Sequence, residues 1–213
     1  MQAQSSELGA IPTPNSAPNS KELKFIHITK TAGTSIEDAA KEKGILWGIY
    51  HKEYGPHHRI FSNVPAAVRD KYDWFMVVRN PYDRILSQYY CRWGGIGLKH
   101  IYHTKAEFNK YLMSKIINEE FNVKFKPETS GNHFTPQYLY LHQQIHILKF
   151  ENLAAEFPEL MAKYGLDIRL QKKNVGQKGK FTVADFSPEL VREINRFYAR
   201  DFELFGYMPS LYR

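Results

Sequence analysis

The chain has 213 residues, 43% hydrophobic and 24% charged, the profile of an ordinary soluble domain with room for a substantial core. No stretch approaches the roughly 18 apolar residues of a membrane span. The only cysteine, Cys91, excludes an intrachain disulfide and fits a reducing compartment. The formal charge is +7, and because the first 22 residues contribute −1 (Glu7, Lys21, Glu22) the remainder carries +8. Such a surplus suits an anionic ligand, and equally a merely basic surface.

Residues 1–22 are rich in Ser, Pro, Asn and Gln and lack the basic start and apolar run of a secretory signal. They are expected to form a disordered tail ahead of a single domain over 23–213, with a cytoplasmic location. KFIHI (24–28) reads as a strand, and a helix is expected from Thr34 to Lys43, ended by Gly44. A second strand is expected near Leu46–Tyr50. DWFMVV (73–78) reads as a buried strand, and Asn80-Pro81 opens a helix running to about Trp93. Thr104 and Glu107 form a capping box before a helix that turns Phe108, Tyr111, Leu112 and Ile116 inward, with 122–135 irregular. QIHILKF (144–150) is a further strand, and Pro158 is expected to begin a helix ending at Gly165. A basic loop follows over 170–182. Ser187-Pro188 then caps a long final helix with Leu190, Val191, Ile194, Phe197 and Tyr198 as its packed stripe. Alternating strands and helices predict an α/β fold, a parallel sheet with helices on both faces. Ligands of such sheets bind beyond the carboxyl ends of the strands.

Two segments lie at such ends. In Thr29-Lys30-Thr31-Ala32-Gly33-Thr34-Ser35 a lysine, hydroxyls and a glycine lead into a helix N-terminus, which makes an anion cradle. It is not a Walker A loop, because the lysine precedes the only glycine. The bland alternative is a strand–helix turn with a solvated lysine. In VRNPYDRILSQY, Arg79 follows a buried strand and can present a planar fork to a phosphate. Ser87 lies on the face of Arg84. Here the alternative is a structural pair between Arg79 and Asp83.

Taken together, FIHITKTAGTS (25–35) and VRNPYDRILSQY (78–89) resemble the sulfotransferases that use 3′-phosphoadenosine 5′-phosphosulfate, in particular the branch of carbohydrate O-sulfotransferases and their bacterial relatives. HFTPQYLYL, LKFENL, KKNVGQKGKF and FYARDFELFGY continue the likeness in order, so it spans about Lys24 to Tyr207. Thr29 stands where proline is usual. The resemblance implies a P-loop-like sulfotransferase fold. It implies that Lys30, Thr31, Ala32, Gly33, Thr34 and Ser35 wrap the 5′-phosphosulfate, and that Arg79 and Ser87 hold the 3′-phosphate. Lys178 and Lys180 belong to the loop that closes over the nucleotide.

The implied reaction is in-line transfer of a sulfuryl group to an acceptor hydroxyl, with 3′-phosphoadenosine 5′-phosphate as product and no metal. Lys30 stabilises charge on the leaving oxygen, and a histidine takes the acceptor proton. His58 in GPHHR best matches the family's catalytic histidine, with His57 the runner-up. His133 and Gln137 of HFTPQ are expected on the acceptor side, or in a structural role. Of Tyr89, Tyr90 and Trp93, most are expected in the core, and one is available to stack on a sugar or on adenine. The acceptor implied is a carbohydrate, with no nucleic acid partner. Two other classes are weighed: a non-catalytic basic module for an acidic glycan or nucleic acid, and a nucleotide kinase.

Overall fold

The computed structural model describes residues 21–54, 58–93, 95–125, 133–142, 145–171 and 179–211. The expected tail thus lies outside the described residues except for Lys21 and Glu22, which lead into the first strand.

Three parallel strands, β1 (Leu23–Ile26), β2 (Asp73–Val78) and β3 (Ile145–Lys149), lie in the order β1-β2-β3. The register sets Phe25 beside Phe75, and Met76 beside Ile147. Central β2 is buried on both faces, which is why its sequence is a continuous apolar run rather than an alternating one. Period-2 side chains sort the strands onto two cores. Leu23, Phe25, Phe75, Val77 and Leu148 pack against α1 (Gly33–Glu42) and α5 (Leu153–Lys163). Ile26, Trp74, Met76 and Val78 pack against Tyr54, Ile60, Phe61, Tyr140 and Phe205 on the other face, where α2 (Ala66–Lys71) also lies. A third core joins α3 (Pro81–Tyr89), α4 (Lys105–Phe125), α6 (Pro188–Phe197) and α7 (Ala199–Phe205) around Tyr89, Phe108, Leu112, Ile194 and Tyr198. Among the described residues the arrangement is α/β, three parallel strands flanked by seven helices, as expected of the P-loop-like sulfotransferase fold.

Five element expectations are corrected. The stretch near Leu46–Tyr50 is not a strand: Gly48 sits at φ +53°, Gly48–Tyr50 is a 3-10 turn, and the Ile49 N–H donates to Glu37 Oε1 at 2.8 Å instead of joining the sheet. Helix α3 stops at Tyr89, because the chain doubles back so closely that a Cβ on Gly95 would lie 2.1 Å from the Gln88 carbonyl oxygen. Pro158 lies inside α5, whose start is tied down by Glu156 accepting from the Lys149 N–H and the Asn152 amide. The final helix breaks at Tyr198 into α6 and α7. The capping box forms as expected, with Thr104 N–H donating to Glu107 and Glu107 N–H to Thr104 Oγ1, but α4 runs on to Phe125.

Candidate active site

Beyond the end of β1 the chain makes a strained turn into α1. Lys30 and Ala32 both adopt left-handed backbone, at φ 65° and 71°. For residues other than glycine this costs about 1–2 kcal/mol each. Between them the buried Thr31 hydroxyl donates to the Ile28 carbonyl at 2.8 Å, closing the turn. Thr31 thus spends its hydroxyl on the loop, leaving its backbone N–H as the group it can offer a ligand.

The first intrahelical bond of α1 runs from the Ile36 N–H to the Ala32 carbonyl, so the N–H groups of Gly33, Thr34 and Ser35 open the helix without intrahelical acceptors. Ala32 supplies no side-chain cap, and the first turn holds no acid. The other described helices of eight or more residues differ. Asn80 caps α3, the Thr104 box caps α4, Glu156 lies in the first turn of α5, and Ser187 caps α6. The positive end of α1, with Lys30 beside it, is thus met by neither a side-chain cap nor a first-turn acid.

Gly33 is required for a different reason from the one its position in the turn suggests. The left-handed residues are Lys30 and Ala32. A Cβ on Gly33 would lie 2.1 Å from the His27 ring. His27 is buried under the loop, its Nδ1 2.8 Å from Glu37 Oε1.

The His27 carbonyl meets His58 Nδ1 at 3.1 Å. A carbonyl only accepts, so Nδ1 carries the hydrogen and the neutral imidazole has its lone pair on Nε2, the form a general base needs. His58 itself is left-handed at φ 64°. Its ring stands edge-on to His27, centroids 4.5 Å apart, and 5.6 Å from the ring of His133. Its carbonyl accepts from Tyr140 Oη at 3.0 Å. His57 lies outside the described residues.

His133 Nδ1 is 2.8 Å from Gln88 Oε1, and the Gln88 amide donates to the Trp93 carbonyl at 3.1 Å. Thr29 has a use that proline lacks: its hydroxyl donates to the His133 carbonyl at 3.2 Å and accepts from Arg84 at 3.4 Å. Arg84, fully buried, also donates to the Thr135 carbonyl at 2.7 Å.

Arg79 follows β2 directly. Its Nη1 donates to the Lys30 carbonyl at 3.3 Å, and its guanidinium lies 4.3 Å above the Phe150 ring. Its Nε is buried with no hydrogen-bond partner among the described residues. Burial lowers its pKa, partly opposed by Asp83 and Glu151. A partly desolvated cation with an unsatisfied N–H gains much from an arriving anion. No ion pair joins Arg79 to Asp83 among the described residues, so the structural-pair alternative falls away.

Gln137 is 0% exposed, and its side-chain amide is paired with the backbone of Arg79. Ser87 lies half-buried on α3, with no hydrogen-bond partner for its hydroxyl among the described residues. Lys180 is exposed, and its ammonium donates to the His103 carbonyl at 2.8 Å. Beside it Gly179 lies against the Tyr90 ring, where a Cβ would come within 1.9 Å. Lys178 lies outside the described residues. Tyr89 is core, Tyr90 exchanges hydrogen bonds with the Phe181 backbone, and Trp93 is 67% exposed.

The structure therefore brings Lys30, Arg79, His58 and His133 to one end of the sheet. The profile of the sulfotransferase family matches residues 18–208. The chain belongs to the sulfotransferase family. Comparison with curated proteins and with solved structures returned no match. The chemistry of this sulfotransferase is sulfuryl transfer in the general sense of its family. The residues that sequence reasoning missed are His27, Glu37, Gln88 and Arg84. They lie beneath the site, and one signal was available: a histidine directly after β1 and a glutamate on α1, both at positions facing the apolar core. No described helix is long and apolar enough to cross a membrane, and no group of three or more potential metal ligands lies together among the described residues.

Proposed function

We propose that this sulfotransferase takes its sulfuryl group from 3′-phosphoadenosine 5′-phosphosulfate and transfers it to a carbohydrate hydroxyl. The observation that carries the reading is the meeting of an uncapped, acid-free helix start with Arg79, whose Nε lacks a partner among the described residues, through the 3.3 Å contact of Arg79 with the Lys30 carbonyl. A donor with an anionic group at each end fits two neighbouring cationic positions.

The donor supplies a sulfuryl group already activated on a phosphate. The N–H groups of residues 33–35 and the Lys30 ammonium hold the 5′ end and stabilise charge as it develops on the leaving oxygen. A fixed donor of this kind contributes about 3–4 kcal/mol of transition-state stabilisation. The Arg79 guanidinium and the Ser87 hydroxyl hold the 3′-phosphate, and Lys178 and Lys180 belong to the loop closing over the nucleotide. His58 Nε2 accepts the acceptor's proton, with Nδ1 held by the His27 carbonyl. His133 faces the acceptor. Exposed Trp93, with the Arg92 guanidinium 5.2 Å above its ring, offers the aromatic surface for a sugar.

Calorimetry with 3′-phosphoadenosine 5′-phosphate tests the reading. We expect binding by the wild type and a loss of at least about 100-fold in Arg79→Ala, from the two charge-assisted hydrogen bonds removed. Absence of binding by the folded wild type would rule the donor out. Transfer of labelled sulfate to a panel of desulfated oligosaccharides then tests the acceptor class.

A further inference from the structure

Arg79 and Lys30 belong to different halves of the site, yet one contact joins them, and behind that contact stands Gln137. The Arg79 N–H donates to Gln137 Oε1 at 2.9 Å, and Gln137 Nε2 donates to the Arg79 carbonyl at 2.9 Å. One side-chain amide thereby does what a neighbouring strand would do, prolonging β2 by a residue past Val78. Both of these backbone groups would otherwise end unpaired at the sheet terminus.

Gln137 is itself immobilised. Its own N–H donates to Asp201 Oδ2 at 2.9 Å, its Nε2 lies 3.3 Å from the same oxygen, and the Tyr138 N–H donates to Asp201 Oδ1 at 2.8 Å. Upstream, Arg84 holds the Thr135 carbonyl, Tyr198 Oη the Phe134 carbonyl, and Glu119 the Thr135 hydroxyl. The segment 133–138 is thus a rigid post, and Gln137 is the arm it extends to β2. From the fixed Arg79 backbone the guanidinium, stacked on Phe150, reaches the carbonyl of Lys30. Lys30 is left-handed, a conformation that persists in a lysine only when its surroundings over-determine it.

We propose that Gln137 is a positioning residue that couples the two anion-binding ends of the site, by fixing Arg79 so that its guanidinium holds the left-handed turn at Lys30. Arg79 then does more than bind the far phosphate; it also keeps the near cradle formed. The assignment of nucleotide ends rests on the donor reading above, whereas the mechanical coupling does not.

Gln137→Met keeps length and volume and removes both hydrogen bonds to Arg79. Arg79→Met removes the link to Lys30 and leaves Gln137 in place. Hydrogen exchange of the full chain, without nucleotide, reads the coupling directly. The Ile36 amide, bonded to the carbonyl of left-handed Ala32 at the turn, should exchange at least tenfold faster in either variant, with α4 and α6 still protected. Wild-type exchange at Ile36 in folded Gln137→Met would overturn the proposal. If that variant does not fold, Arg79→Met is read by the same criterion, and wild-type exchange at Ile36 in it overturns the proposal.

The nucleotide arm compares two probes. Adenosine 5′-phosphosulfate lacks the 3′-phosphate, so its affinity should also fall about tenfold in Gln137→Met, alongside that of 3′-phosphoadenosine 5′-phosphate. A loss confined to the bis-phosphate would mean that the relay ends at Arg79, and would overturn the coupling. If wild-type protein binds neither probe, the donor reading fails, and the exchange result alone judges the coupling.

Discussion

The hydrogen on His58 Nδ1 decides what that residue can do. Its acceptor is a backbone carbonyl, which admits no other tautomer in the neutral ring, so the basic nitrogen is Nε2. His58→Ala should lower turnover by about 10²–10⁴-fold, the usual contribution of a positioned general base, and leave donor affinity in calorimetry unchanged. Retained turnover in His58→Ala with loss in His57→Ala would move the base by one residue. Beneath His58, the Glu37 carboxylate fixes the His27 ring, and the His27 carbonyl fixes His58. This depth of support explains how a histidine in a left-handed conformation keeps one orientation.

Helix α1 begins on Ala32, at φ 71°, with Gly33 pressed on the His27 ring. The two positions should respond oppositely to substitution. Ala32→Gly removes a Cβ from a left-handed residue and should stabilise the fold by about 1 kcal/mol, read as a raised midpoint in urea. Gly33→Ala drives a Cβ into a buried ring and should cost about 1–3 kcal/mol, the range for overpacking. Equal effects of the two would mean that the loop tolerates strain more evenly than its geometry indicates. At the other end of the site the strand–helix junction at Arg79 depends on an amide from a distant segment, so β2 ends where it does through a tertiary contact.

Across the whole molecule, the opposite end of the sheet carries a pH-dependent element. His51 is 6% exposed, packs against Tyr72 and Trp74, and has no hydrogen-bond partner for either ring nitrogen among the described residues. Burial, with nearby Lys24, lowers its pKa to about 4. The unfolded chain therefore takes up a proton near pH 6.5 that the folded protein refuses. Stability from this group is complete above about pH 6.5, falls as the pH drops towards 4, and changes no further below that. Between pH 7 and pH 5 the loss should be about 2 kcal/mol. His51→Leu should flatten this part of the profile in urea melts at the two pH values. A wild-type profile with no slope there would show that His51 becomes charged without cost in the folded protein. Lys30 and Arg79, by contrast, stand at the carboxyl end of the sheet.

The sequence by itself determined the elements whose causes are local. The apolar run of β2, the Asn80-Pro81 start, the Thr104–Glu107 box and the Ser187 cap were legible because each is closed by residues within a few positions of one another. The two motifs also placed Lys30 and Arg79 at strand ends, and their combination pointed to the family. What only the tertiary structure decided are features whose partners lie far along the chain. Gln137 reaches across 58 residues to Arg79, the Glu37 carboxylate turns an expected strand near Leu46–Tyr50 into a 3-10 turn, and the His27 ring sets the need for Gly33. Local propensity carries no information about a hydrogen bond or a steric limit imposed by a segment not yet folded against it, and the supporting half of this site consists of such contacts.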